Sequence, residues 1–328
     1  MFKVMMWTTI GLIVFFNLTV GAIPAERLKF GTSGGTTYPV YYLPVLAAEE
    51  GGFWKQNDLE VEWVPFAKAS VLNQAITEGS INVGIWTVSS SLQAIARTNI
   101  PLVFVSALYD TDDFVVWVRA DSLRKEPKDL KGAKIGVSGF GGAEHGYGRV
   151  AVRALGLEKD VEFVVAGEIT KAAAELKAGV IDAVVMPPEI MIMYKMSGDV
   201  RELVRVSDYF PKEWTGQVIF GTKDFIRSKP EVVKRVVKSI IQSTDFIRKN
   251  PRWAIEKMKL MSKYSEEAAQ HIYDREIKFF TKDGKMDPKG IENVKEFLTK
   301  FEIIPREKTS TLPAVKDLYA PEFTQVHE

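Results

Sequence analysis

Residues able to do chemistry gather where apolar runs give way to glycines, hydroxyls or an acid. The first junction is Thr32–Ser33–Gly34–Gly35–Thr36–Thr37–Tyr38, ahead of Pro39. Glycines let backbone approach a ligand. Hydroxyls and helix-start amides supply hydrogen bonds, and a helix N-terminus favours an anion. A capped turn has the same composition, so these residues leave binding and turn formation equally open. The second junction, Ser138–Gly139–Phe140–Gly141–Gly142–Ala143, follows the same logic, and Phe140 adds a face for stacking. Two more are Trp86–Thr87–Val88–Ser89 and Met186–Pro187–Pro188–Glu189. Trp86 suits a flat or apolar ligand body. Glu189 suits a donor or cation, and equally a first-turn cap. Asp110 ends a further apolar run, whereas Asp112 and Asp113 read as a solvated turn. Trp214 reads chiefly as core packing beside a hinge.

Catalytic sets are poor. His145, His271 and His327 show no metal-ligand spacing, and no Gly–x–Ser–x–Gly elbow exists. Ser89, Ser90 and Ser91 read as a helix cap without a base partner. Gly146–Tyr147–Gly148–Arg149–Val150–Ala151 fits a degenerate dinucleotide fingerprint. It begins nine residues after the strand ending at Val137, too late for the first turn. The chain has no cysteine, which excludes thiolate nucleophiles, zinc–thiolate sites and iron–sulfur clusters. No catalytic residue, metal or cofactor is expected, and the chain reads as a non-enzyme.

The elements that position these junctions alternate. Strands are expected at Leu28–Thr32, Leu59–Phe66, Ile81–Trp86 and Pro101–Ala107, with helices at Tyr38–Asn57, Ser70–Glu78 and Ser89–Arg97. The pattern restarts with strands at Ala133–Val137, Glu162–Val165 and Ile181–Met186 and helices at Gly146–Leu155 and Ala172–Lys177. Such alternation predicts mostly parallel sheets. The two stretches echo each other. Gly79, Ile81, Asn82 and Val83 stand 100 positions before Gly179, Ile181, Asp182 and Ala183. Lys29–Phe30–Gly31 matches Lys134–Ile135–Gly136, five residues out of phase. One β–α–β–α–β unit is therefore expected twice. Beyond residue 225 amphipathic helices follow Pro230, Trp253, Ser265 and Asp287–Pro288, and the tail from Pro305 is mostly irregular.

The expected architecture is α/β, with two lobes joined by two hinge crossings. Residues 23–113 with 222–328 form lobe 1, residues 119–214 form lobe 2, and the crossings fall at about 114–118 and 215–221. Ligands of open α/β sheets sit outside the carboxyl ends of the strands, and a hinge between lobes closes around them.

Composition fits such a chain: 328 residues, 46% hydrophobic and 26% charged. Lys3 precedes the apolar run Val4–Val20, and Val20 and Ala22 occupy the −3 and −1 positions of a signal-peptidase site. Residues 1–22 read as a cleaved export signal, with a membrane anchor as the alternative. Without a cysteine after the signal the protein is not a lipoprotein, so a free periplasmic location follows. Losing Lys3 leaves 42 basic against 42 acidic residues. No basic face serves nucleic acid.

These residues also resemble a known family. Gly31–Thr32–Ser33–Gly34, Ala47–Ala48–Glu49–Glu50–Gly51–Gly52–Phe53–Trp54, Gly79–Ser80–Ile81–Asn82–Val83–Gly84, Asp129–Leu130–Lys131–Gly132–Ala133–Lys134–Ile135–Gly136–Val137 and Asp317–Leu318–Tyr319 carry the likeness. The chain resembles the substrate-binding proteins of ABC importers for nitrate, sulfonate and taurine, grouped with thiamine-pyrimidine synthesis proteins (the SsuA/THI5-like, NMT1 family). The resemblance implies a type II periplasmic-binding-protein fold and a monomer that carries a small organic ligand to a permease and its ATPase. By motif position it places ligand contacts on Ser33, Gly34, Tyr38, Trp86, Thr87, Gly141, Gly142 and Pro188; Gly35, Asp110, Ser138, Phe140 and Glu189 join them from the junctions above. The family's synthase branch uses a cysteine-rich segment that this chain lacks. Hydroxyls and amides suit an anion, with Arg149 the nearest arginine. A sulfonate, a carboxylate or a pyrimidine is the expected ligand. A biosynthetic enzyme and a receptor's sensing subunit are the alternatives.

Overall fold

In the computed structural model, residues 25–67, 69–140, 143–167 and 169–324 are described. The export signal expected at residues 1–22 lies outside them, as do Gly141, Gly142 and His327. The first half runs β1 (Glu26–Ser33), α1 (Pro39–Glu50), α2 (Phe53–Gln56), β2 (Leu59–Phe66), α3 (Ala69–Thr77), β3 (Val83–Thr87), α4 (Val88–Thr98) and β4 (Leu102–Tyr109). Then come β5 (Val115–Arg119), β6 (Lys134–Val137), α5 (Ala143–Ala154), β7 (Glu162–Val165), α6 (Ile169–Lys177), β8 (Ala183–Met186), α7 (Pro188–Met196) and β9 (Val200–Arg205). The chain ends with β10 (Gln217–Thr222), α8 (Lys223–Ser228), α9 (Pro230–Lys249), α10 (Pro251–Ser262), α11 (Glu266–Glu276), α12 (Pro288–Lys300) and α13 (Arg306–Thr309). The helix expected over 38–57 is two helices, divided at Gly51–Gly52. The α7 helix was foreseen only through Glu189 as a first-turn acid, and β9 was not anticipated.

Two five-stranded sheets result, in the orders β2-β1-β3-β10-β4 and β7-β6-β8-β5-β9. Each holds one antiparallel inner strand, the first strand the chain makes after crossing from the other sheet: β10 between β3 and β4, β5 between β8 and β9. The segments 114–118 and 215–221, read as crossings, therefore fall largely within the sheets. The chain passes between sheets just before each, over 110–114 and 206–216. Their apolar runs belong inside a sheet covered on both faces, where continuous apolar strands are stable. The wholly buried β4 shows the same character.

The 100-residue echo has a physical cause. Asn82 accepts a hydrogen bond from the Lys29 N–H at 2.7 Å and donates its own N–H to the Lys29 carbonyl at 3.0 Å. Asp182 does the same with Lys134, at 2.8 and 2.9 Å. Each polar side chain ties the start of the third strand of its unit to the first. Gly31 and Gly136 are equivalent too: a Cβ there would come 3.0 Å from Ile81 and 2.6 Å from Ile181, respectively.

Helix α9 buries Val232, Val233, Val236, Val237 and Ile240 against the first sheet. α10 and α11 share a core with α1 and with Ile192 of α7, so this C-terminal pair bridges the two halves.

Candidate ligand-binding cleft

At the carboxyl ends of the strands the two sheets enclose a cavity of about 570 Å³. The first half contributes Tyr38 and Tyr41 from the start of α1, Trp86 and Thr87 from the end of β3, Tyr109 from the end of β4 and Gln217 from the start of β10. The second half contributes Ser138, Glu144, Tyr147, Pro187 and Glu189. The first crossing adds Asp112, Asp113 and Phe114, and α11 adds Glu276 at its end.

Local chemistry fixes these side chains. Pro39 opens α1, where its missing N–H costs nothing, and Tyr38 lies over Gly34, which has φ 81°. The Tyr41 ring centroid stands 5.0 Å from Trp86 and 5.6 Å from Tyr38, which makes an aromatic wall. Thr87 caps α4, accepting the Ser90 N–H at 3.0 Å and the Ser89 hydroxyl at 3.1 Å. Phe114 stacks on Tyr147 at 4.2 Å.

The cavity is acidic. Asp112 accepts the Tyr147 hydroxyl at 2.5 Å and the Trp214 N–H at 3.1 Å. Burial pushes its carboxyl up to about 6, against the pull of those two bonds. Asp113 is held in a two-point fork by Arg275, at 2.5 and 3.0 Å, and Arg275 also reaches Glu202 of β9 at 3.0 Å. Glu276 accepts the Tyr109 hydroxyl through one oxygen. Burial raises Glu276 to about 8 and Glu189 to about 7. Glu276 Oε1, Glu189 Oε2, Gln217 Oε1 and the Trp86 indole N–H have no hydrogen-bond partner among the described residues. A buried polar atom left unpaired costs about 1–3 kcal/mol, so these four atoms mark where a ligand regains energy. No lysine or arginine lines the cavity among the described residues.

A larger depression, about 690 Å³, lies at the opposite, amino-terminal end of β1 and β2. Its charges are exposed and already paired, Arg27 with Glu60 at 2.7 Å and Lys29 with Glu62 at 3.4 Å. The cleft, with its buried unpaired atoms, is the better candidate.

Of the residues singled out from sequence, Tyr38, Trp86, Thr87, Ser138 and Glu189 line the cavity together. Ser33, Gly34 and Gly35 do not. Their loop closes as a turn, the Thr37 N–H donating to Gly34 O at 3.0 Å and the Gly35 N–H to Phe66 O at 2.9 Å. Asp110 is exposed, within electrostatic reach of Asp283 and Arg248. Phe140 is exposed and sets its edge against His145 at 5.3 Å. Pro188 is buried as the first residue of α7, and its neighbour Pro187 takes the wall position.

Other expectations are corrected. Asp112 and Asp113 are buried, not a solvated turn, because the crossing runs between two halves that cover it on both sides. Ser89 lines the cavity besides packing at the cap. Arg149 donates to the Phe301 carbonyl and sits off the cavity wall. Tyr41, Tyr109, Phe114, Glu144, Tyr147, Gln217 and Glu276 were missed. Tyr41 and Tyr147 look like ordinary helix-face core, and Glu276 lies 167 residues from Tyr109.

Two mixed sheets, a crossing pair and a cleft at the strand ends define a periplasmic-binding-protein fold. Solved structures agree. The periplasmic aliphatic sulphonate-binding protein SsuA of Escherichia coli superposes with a TM-score of 0.76 at 17% identity, covering 90% of this chain and 92% of that one. The periplasmic nitrate-binding protein NrtA of Synechocystis PCC 6803 gives 0.70 at 14% identity, covering 90% and 86%. The chain belongs to the NMT1/THI5-like family, whose model matches residues 40–254. Among curated relatives, the 4-amino-5-hydroxymethyl-2-methylpyrimidine phosphate synthase of Aspergillus parasiticus is 22% identical over 278 residues, 79% of this chain and 78% of that protein.

Proposed function

We propose that this protein is the periplasmic solute-binding component of an ABC importer. It holds a small, flat, nitrogen-bearing organic molecule between its lobes and delivers it to the permease and its ATPase. It acts as a monomer, without turnover, after removal of its export signal. The observation that carries the ligand class is the cleft wall itself: stacked aromatic rings, unpartnered buried acceptors and several carboxylates, with no lining cation among the described residues. Aromatic faces attract cations and flat rings. Buried carboxylates favour a cation or an N–H donor and oppose an anion.

The anionic ligands suggested by the loop hydroxyls therefore fit less well. The hydroxyl- and amide-rich turn at Ser33–Gly35 lies off the wall, and Asp112, Glu189 and Glu276 stand in the cleft instead. An aminopyrimidine, the group in the Aspergillus relative's name, combines a flat ring with N–H donors and fits the wall. That relative's name also favours a second reading, a synthase on the same fold. Recovery of the native protein from the cytoplasm with residues 1–22 intact would support the synthase.

A thermal-shift panel tests the binding reading. 4-Amino-5-hydroxymethyl-2-methylpyrimidine and benzylamine are expected to raise the melting temperature, and ethanesulfonate to leave it unchanged. A rise with ethanesulfonate alone would defeat the proposed ligand class.

A further inference from the structure

The unpartnered acceptors of the cleft fall into two groups at the strand ends of different sheets. Glu276 Oε1 and Gln217 Oε1 belong to the first-sheet side: Glu276 is anchored by Tyr109 at the end of β4, and Gln217 opens β10. Glu189 Oε2 belongs to the second, in the first turn of α7. Glu276 is 6% exposed and Glu189 7%, so water satisfies neither freely. The rings of Tyr41 and Trp86 stand at the same cavity.

The two acids stand on different elements. Glu276 ends α11 beside Tyr109 of β4, where Gln217 of β10 pairs with Tyr109 in the first sheet, and Glu189 follows β8 of the second sheet in the first turn of α7. Tyr41 lines the same cavity, and burial first, then the charges of Asp112, Tyr38, Glu189 and Glu276, holds its hydroxyl well above the ordinary range. The cavity of about 570 Å³ is of a size that encloses drug-sized ligands, more than one six-membered ring requires.

We propose that the natural ligand is two-headed. One cationic or N–H donor group is held by Glu276 and Gln217 and a second by Glu189, with a flat or apolar body against Tyr41 and Trp86. This rests on the cation-favouring reading of the cleft and goes further, because it makes one ligand span the strand ends of both sheets, beside the α10–α11 pair that already joins the halves. A one-headed analogue engages one acid only. A two-headed ligand engages both, so the acid pair selects for it.

The test compares benzylamine with 1,4-bis(aminomethyl)benzene, which share one aromatic body. Calorimetric titration of the full-length mature protein at about pH 8 is expected to show the diamine binding about 10–100-fold more tightly, the gain from one more charge-assisted hydrogen bond. Glu189→Gln and Glu276→Gln are each expected to cost the diamine about tenfold or more. Benzylamine loses affinity in one variant at most. The wild-type comparison of the two amines stands even if a variant fails to fold. Equal wild-type affinities, or a diamine indifferent to both substitutions, would overturn the two-headed ligand and leave the cation-favouring reading intact. Failure of both amines to bind would overturn the two together.

Discussion

The carboxylate of Asp112 accepts the indole N–H of Trp214 at 3.1 Å, and this bond joins the two chain crossings. Asp112 lies in the first crossing and Trp214 in the second. The same oxygen takes the hydroxyl of Tyr147 from α5, so one buried atom links both crossings to the second half. Trp214→Phe keeps a ring against Phe210, whose stack is 4.2 Å centroid to centroid, but removes the donor together with part of the buried indole. The hydrogen bond to a charged group accounts for about 1.5–3 kcal/mol of the expected loss, and the lost ring atoms add to it. Urea unfolding measures it, and an unchanged midpoint would show that the link is idle.

Arg275 holds Asp113 and Glu202 together at the edge of the cleft. Arg275→Met leaves the buried Asp113 without its counter-charge, a change expected to cost about 3–5 kcal/mol. Asp113→Asn combined with Arg275→Met should recover part of that, because the stranded charge is gone. Denaturation of Arg275→Met, Asp113→Asn and the double variant checks the pair, and additive losses would argue against direct coupling.

The glycines that imitate a dinucleotide loop serve packing. A Cβ on Gly148 would stand 2.7 Å from Phe163 Cε1 and 3.0 Å from Val185 Cγ2. Gly148→Ala is expected to destabilise by about 1–3 kcal/mol through overpacking. Thermal melts read the loss; a neutral variant would contradict the packing role.

Stability of the ligand-free protein should fall as pH rises. Burial raises Asp112 to about 6, Glu189 to about 7 and Glu276 to about 8, whereas in the unfolded chain these acids ionise near 3.8 and 4.5. Between those limits the folded state holds more protons than the unfolded state, so unfolding free energy decreases with pH. The contribution is fully present below about pH 4 and is lost as pH climbs through the folded values. Melting curves from pH 5 to 9 should show a decline that Glu276→Gln makes shallower. A melting temperature that rises over this range would reverse the sign.

The repeated unit was legible because its cause is local. Asn82 and Asp182 each bond back to the first strand of their own unit, and the requirement recurs in the residue type 100 positions later. The parallel strands showed as apolar runs for the same reason. The crossings were misplaced because β5 and β10 have the composition of any inner strand, and their insertion antiparallel into the other sheet is set by topology. The cleft was half legible. Trp86, Thr87 and Glu189 stand at strand ends that the pattern exposes. Glu276 and Gln217 come to the wall through long-range packing onto Tyr109, and no local pattern carries that.

The pH dependence of binding tests the central claim most directly. A cation competes with protons for Glu189 and Glu276, which must ionise to hold it. Benzylamine keeps its charge from pH 6 to 8, and over that range its affinity, followed by tryptophan fluorescence, should rise by about tenfold or more. Ethanesulfonate should bind weakly throughout. An affinity for benzylamine that falls with pH, or a preference for ethanesulfonate, would contradict the account.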